Sequence, residues 1–343
     1  MLRRTIEPPD EAAIAAAREL SAGQAKPPGS LGVLEDLAAW VAGCQRRCPP
    51  RQLEDVRVVV FAGDHGVAAS GVSAYPAEIT PAMVRGIAAG VAGVSALAAA
   101  NGVRVDIVDI AVAADLTDLD PAVGRFKVCS GSGSIEIQDA LTGDQLDAAL
   151  AAGERIATEA ATDGAQLLIA GDLGIGNTTV AAALIASTFG LPPAAVAGRG
   201  TGVDDVVLAR KVAVIQRALV RAGRRASDPR QRLRALGSAD MAAGVGFLLG
   251  AAAAGVPVLL DGLIAVAEAS VAASMHPEVR PWLWAGHRSS EPGQSLALTR
   301  LGLEPLLDLR MRLGEGTGAV VAVPIVRAAV AALRDIAQLS DLA

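Results

Sequence analysis

The chain has 343 residues, enough for one large core with a smaller appendage. Hydrophobic residues make up 52% but aromatics only 2%, so Ala, Val, Leu and Ile must fill the interior, and their small size favours close helix–sheet packing. The 30 basic and 36 acidic residues leave a net charge of −6, which excludes a general field for nucleic acid, and three cysteines (Cys44, Cys48, Cys129) make neither a disulfide framework nor a zinc quartet.

The opening stretch, residues 1–10, lacks the apolar run of a signal peptide, which points to a cytoplasmic protein. Helices are predicted over 11–20 and 33–45, separated by the turn-rich Lys26-Pro27-Pro28-Gly29-Ser30-Leu31-Gly32. A β-branched run at 56–62 reads as a strand and 84–100 as one helix. Next come a strand over 103–112, a helix over 144–162 and a strand over 167–170. Helices follow at 180–188 and 206–221, the latter capped by Asp204. The Arg-rich stretch 221–234 reads as a solvated linker. A helix over 241–254, a strand over 256–260 and a helix over 264–275 precede a short strand at 280–285 with two tryptophans. The end reads as two helices, 296–312 and 319–339, around a glycine loop. The uncharged stretches 86–103 and 242–260 are long enough to span a bilayer, but Ala and Gly dominate both, so they read as buried core.

Strands alternating with helices predict an α/β fold with a doubly wound parallel sheet. The helix-only material at both ends predicts a small helical domain, 1–50 with 295–343, beside a large α/β domain, 51–294.

Ligands in such sheets bind beyond the carboxyl ends of the strands. Polar, glycine-rich loops follow the predicted strands: Gly63-Asp64-His65-Gly66, the nonapeptide Gly171-Asp172-Leu173-Gly174-Ile175-Gly176-Asn177-Thr178-Thr179, Asp261-Gly262, and Gly286-His287-Arg288-Ser289-Ser290-Glu291-Pro292-Gly293. Gly198-Arg199-Gly200-Thr201-Gly202 and Gly314-Glu315-Gly316-Thr317-Gly318 precede helices. The nonapeptide joins a strand to a helix N-terminus, where amides, the helix dipole and close backbone approach favour a phosphate. Lys211, early in the next helix, is read as pointing at that anion. Asp64-His65 is read either as a buried pair holding its turn or as part of the site. His276 and His287 lack metal-ligand spacing, so no metal is expected. Ser289 and Ser290 lack the glycines of a nucleophile elbow, so no acyl-enzyme is expected. Glu315, a carboxylate between two glycines, is the candidate general base.

These motifs, in this order across nearly the whole chain, resemble the nicotinate-nucleotide–dimethylbenzimidazole phosphoribosyltransferase family. The resemblance implies a homodimer, a Rossmann-like large domain, and a small helical domain from both chain ends. It implies transfer of 5-phosphoribose from nicotinate mononucleotide to 5,6-dimethylbenzimidazole with inversion at the anomeric carbon and without a cofactor. It places Glu315 as general base and Lys211 and Ser289 at the ribose phosphate. Asp172, Gly174, Gly176, Asn177, Thr178, Gly200, Gly202 and Gly262 then hold the substrate. Leu313 lines the base slot, and the segment 73–83, with Pro76 and Glu78, forms another wall of it. Asp172 and Leu173 stand where the family has Glu and Met, and the shorter carboxylate implies a water between Asp172 and the ribose. Other readings are the same transfer to adenine or a phenolic base, a non-catalytic nucleotide sensor, and a dinucleotide oxidoreductase. The last calls for Gly-x-Gly-x-x-Gly in the first turn, which here reads Gly63-Asp64-His65-Gly66.

Overall fold

The computed structural model describes residues 5–342, so residues 1–4 of the segment read for a signal peptide lie outside the described residues. Six parallel strands form one sheet: β1 Val56–Gly63, β2 Arg104–Ala111, β3 Leu167–Leu173, β4 Val258–Leu260, β5 Leu283–His287 and β6 Pro305–Leu307, in the order β2-β1-β3-β4-β5-β6. Helices cover both faces, which is why β1 is buried at every position and, apart from Arg57, reads as an apolar run. The register stacks Val58 on Ile169, Ile169 on Leu259 and Leu259 on Trp284. The chain steps from β1 out to β2, then returns to β3 on the other side of β1. Strand order reverses there, and the carboxyl ends of β1 and β3 open a crevice.

Small residues permit the tightest helix contact. Gly153 on the helix Gly143–Thr162 meets the Ala243 carbonyl on the helix Ala239–Ala253 so closely that a Cβ would overlap it, and Gly246 meets Leu150 in the same way. The two ends of the chain also meet. Gln24, buried, donates its amide to the carbonyls of Ala332, Leu333 and Ile336, and the helices Glu11–Ala22, Val33–Cys44 and Thr317–Asp335 pack together.

Four sequence expectations change. The helix over 84–100 is two, Ile79–Ala88 and Gly93–Asn101, because Gly90 at φ +74° turns the chain and Val91 N–H closes back on the Gly86 carbonyl. The stretch 221–234 is not a solvated linker. It folds as a short 3-10 turn, Gly223–Ser227, and a helix, Pro229–Leu236, capped by Asp228 and burying Leu233 and Leu236. Its arginines are drawn inward by Asp139, which pairs with Arg221, Arg225 and Arg234. The helix over 296–312 is Pro292–Leu301, stopped by Gly302 at φ +64°, after which the chain extends into β6. The strand read at 280–285 starts only at Leu283, after a 3-10 turn at Pro277–Trp282. By length and composition, two stretches among the described residues could cross a bilayer, Ile79–Asn101 and Thr317–Asp335. The first is interrupted as described, and the second packs on β5 and the helix Gly93–Asn101.

Candidate active site

An open cleft of about 1000 Å³, counting its mouth, lies over the carboxyl ends of β3, β4 and β5. Its wall includes Asp172, Gly174, Gly176, Asn177, Thr178, Gly200, Lys211, Gly262, Ser289, Leu313 and Glu315, which the structure therefore brings together. Pro76, Glu78 and Gly202 are exposed and not among its lining residues; from the 73–83 segment only Ser73 reaches the wall, next to Val72.

The nonapeptide turn ends β3 and starts the helix Asn177–Phe189, three residues earlier than the apolar run suggests, with Gly176 at φ +97° as its cap. Some of its amides are already engaged: Ile175 N–H donates to Thr80 Oγ1 at 3.2 Å and Thr179 N–H to the Gly176 carbonyl. Likewise Gly200 N–H donates to Glu291 Oε1 at 2.7 Å. Lys211 is a cation facing this corner, with Arg312 donating to the Gly200 carbonyl at 3.3 Å. Lys211 projects inward from the helix Asp205–Ala222, 1% exposed, and donates to the Gly198 carbonyl at 2.8 Å and Thr178 Oγ1 at 3.0 Å. Burial lowers its pKa from the ordinary lysine value, and the Glu291 carboxylate opposes that shift. Asp204 caps the same helix through Val207 N–H.

Glu315 sits on the opposite lip. Gly314, Glu315 and Gly316 have φ of +85°, +62° and +85°, so the one non-glycine residue of the three is held in a strained left-handed conformation. The loop presses on β3, since a Cβ on Gly171 would lie 2.6 Å from the Glu315 carbonyl oxygen. Its carboxylate is 4% exposed as a residue and accepts Val94 N–H at 3.2 Å, from the first turn of the helix Gly93–Asn101. Burial raises its pKa above the ordinary glutamate value; the Val94 N–H works against this and the Asp261 charge adds to it. A buried carboxylate with raised proton affinity at a cleft wall is suited to accept a proton near neutrality.

A family model described as Phosphoribosyltransferase matches residues 6–342. The chain is 55% identical over 333 residues to the nicotinate-nucleotide–dimethylbenzimidazole phosphoribosyltransferase of Mycobacterium avium (strain 104), covering 97% of this chain and 95% of that one. To the protein of that name from Mycobacterium marinum (strain ATCC BAA-535 / M) it is 54% identical over 336 residues, covering 98% and 93%. The crystal structure of CobT from Thermus thermophilus matches with a TM-score of 0.92 at 42% identity, covering 96% of this chain and 98% of that one. The chain belongs to the nicotinate-nucleotide–dimethylbenzimidazole phosphoribosyltransferase family.

The phosphoribosyltransferase cleft rests on residues that sequence reasoning passed over. Gln294, fully buried, bonds Ser289 N–H through its Oε1 and donates to the carbonyls of Asp261 and His287, locking the turns after β4 and β5 together. Ser289 Oγ accepts Glu291 N–H at 3.3 Å. Behind the nonapeptide lies a second layer. Asp172 Oδ1 accepts Asn177 Nδ2–H at 2.7 Å, while its carboxyl faces Asp240, itself 3.1 Å from His65 Nε2. Burial, then the charges of Asp240 and Glu268, push the Asp172 pKa well above the ordinary aspartate value and disfavour its ionisation. Glu268 is raised for the same reasons, by burial and by the Asp240 and Asp261 charges. His65 therefore holds a buried pair, but with Asp240; Asp64 instead accepts Ala113 N–H. Arg199 and Arg312 also line the cleft. The adjacency of Asp261 to Gly262 directly after a strand was the available signal for the most connected of these residues.

Proposed function

We propose that this enzyme transfers 5-phosphoribose from nicotinate mononucleotide to 5,6-dimethylbenzimidazole, giving α-ribazole 5′-phosphate and nicotinate, with Glu315 as general base. The names of the relatives support the reaction. The observation that carries the mechanism is the buried Glu315 carboxylate with raised proton affinity, on the same cleft as the desolvated Lys211.

One ring nitrogen of the benzimidazole attacks C1′ as the bond from C1′ to the pyridinium nitrogen breaks. The bonding pair returns to the pyridinium ring and neutralises it, so the leaving group needs no general acid. The proton on the other benzimidazole nitrogen passes to Glu315, a step worth about 10²–10⁴-fold in rate. Lys211, Thr178, Asn177 and Ser289 hold the sugar phosphate, while Gly174, Gly176, Gly200 and Gly262 let it approach the main chain. Leu313 forms one wall of the base slot, with Ser73 reaching it from the 73–83 segment. Asp172 acts by holding Asn177.

The enzyme works in the cytoplasm as a homodimer, with no membrane span and with the two chain ends forming its small helical domain. Support for the dimer is the exposure of Tyr75, Ile79 and Val91 on the segments beside the cleft, which a second copy would cover. Incubation with nicotinate mononucleotide and 5,6-dimethylbenzimidazole tests the reaction, with products followed by mass. α-Ribazole 5′-phosphate and nicotinate are expected. Bound mononucleotide without product refutes the proposed acceptor, and a panel with adenine and phenols then separates another acceptor from a sensor.

A further inference from the structure

Asp261 follows β4 and is 4% exposed. Its Oδ2 accepts Gly316 N–H at 3.2 Å, and its Oδ1 accepts Gly318 N–H at 2.8 Å and Ala319 N–H at 3.1 Å. These are the free amides at the start of the helix Thr317–Asp335, immediately after Glu315. His287 Nε2 stands 3.2 Å from the same Oδ1, and Gly318 has no side chain where the His287 ring lies. Burial disfavours the Asp261 charge, but His287 and the helix amides outweigh it and hold the carboxyl below its ordinary pKa. An ionised aspartate thus clamps the strained turn from below, while β3 presses it at Gly171.

We propose that Asp261 is a positioning residue for Glu315: its carboxylate, steadied by His287, fixes the left-handed turn that aims the glutamate into the cleft. This rests on the reaction proposed above. The charged and titratable groups that share the cleft with Glu315 are Asp172 from β3, Lys211 from its helix, Arg199 from the loop before that helix, Asp261 from the turn after β4, His287 and Glu291 from β5 and the turn after it, and Arg312 from its own loop. The helix Gly93–Asn101 contributes only the Val94 N–H to the carboxylate. Among these, Asp261 both holds the turn and, by like charge, strengthens proton binding at Glu315.

The test is Asp261→Asn. Both Asp261 oxygens accept N–H donors, so the amide nitrogen of asparagine must face one of them. The kcat is expected to fall about 10²-fold, the loss typical of a small misplacement, with KM for nicotinate mononucleotide nearly unchanged. The acid limb of the kcat profile should move to lower pH, because the charge opposing Glu315 ionisation is gone. The double variant Asp261→Asn with Glu315→Gln should be no slower than Glu315→Gln alone, since Asp261 acts through the glutamate. Amide exchange over 313–320 should accelerate. An unchanged kcat and acid limb, or independent multiplication of the two losses, overturns the proposal. If the wild-type enzyme makes no ribazole phosphate, the reaction reading falls instead. Amide exchange then still decides on Asp261, because it needs no substrate: unchanged protection sinks the proposal.

Discussion

Replacing Glu315 with Gln separates proton acceptance from every other role the residue has. Glutamine has the same shape, and its carbonyl oxygen can still accept the Val94 N–H now bonded at 3.2 Å. The turn, held by Asp261 through Gly316, Gly318 and Ala319, does not depend on the Glu315 charge. What is lost is the proton acceptor, so kcat should drop about 10²–10⁴-fold, which is about 3–5 kcal/mol of transition-state stabilisation. Stability should move the other way. Because burial raises the Glu315 pKa, its contribution to stability is present at low pH and is lost as pH rises through the folded-state value. The glutamine variant escapes that loss, so its Tm relative to wild type should rise from pH 4 to pH 8. Product formation measured chromatographically, calorimetric binding of nicotinate mononucleotide and a Tm series make the assay. Near wild-type turnover, with binding intact, would refute the general-base assignment.

Lys211→Ala should chiefly raise KM for nicotinate mononucleotide, because the buried cation stands beside Thr178 and the Gly198 loop and not beside Glu315's turn; an unchanged KM in steady-state kinetics would show that the phosphate lies elsewhere. Asp172→Asn should keep most activity and gain stability with rising pH. Because the folded-state pKa of the wild-type carboxyl is raised, its stabilising protonated form is lost as pH rises through that value, and asparagine avoids the loss while still accepting from Asn177. Thermal melts from pH 5 to pH 9 check it: a variant less stable than wild type throughout would mean that Asp172 is ionised.

Much of the sheet was legible because strands covered on both faces have a composition of their own. Val58–Ala62 in β1 and Leu167–Ala170 in β3 are apolar runs, each followed by a glycine, and they lead to the crevice. Strand β6 carried no such mark: Pro305–Leu307 is three residues long, half buried and without β-branched side chains. The break near Gly90 was hidden by flanking alanines that favour helix on either side. Charge misled at 221–234, where arginines suggested solvent until Asp139, far off in sequence, gathered three of them. The same distinction runs through the site. Glu315 was legible because a carboxylate between two glycines has little local structural use. Glu291, Gln294, Asp240 and Glu268 were not, since their meaning lies in partners from other strands and helices.

The cleft sorts its carboxyl groups by what surrounds each one, and on the proposed reaction that sorting has a purpose. Asp172 faces two other acids and gains only an amide donor, so its ionisation beside an incoming phosphate is disfavoured. Asp261 faces the amides of a helix start and His287, so it stays ionised and becomes a fixed anchor. Glu315 lies between these extremes, desolvated and repelled by Asp261 but relieved by one N–H. An acid that binds protons too weakly would not take one from a benzimidazole, and one that binds them too strongly would already hold it. The intermediate environment is what general-base catalysis near neutral pH requires. It comes from three neighbours, Val94, Asp261 and the strand at Gly171, that are distant from Glu315 in sequence and are brought to it by the sheet.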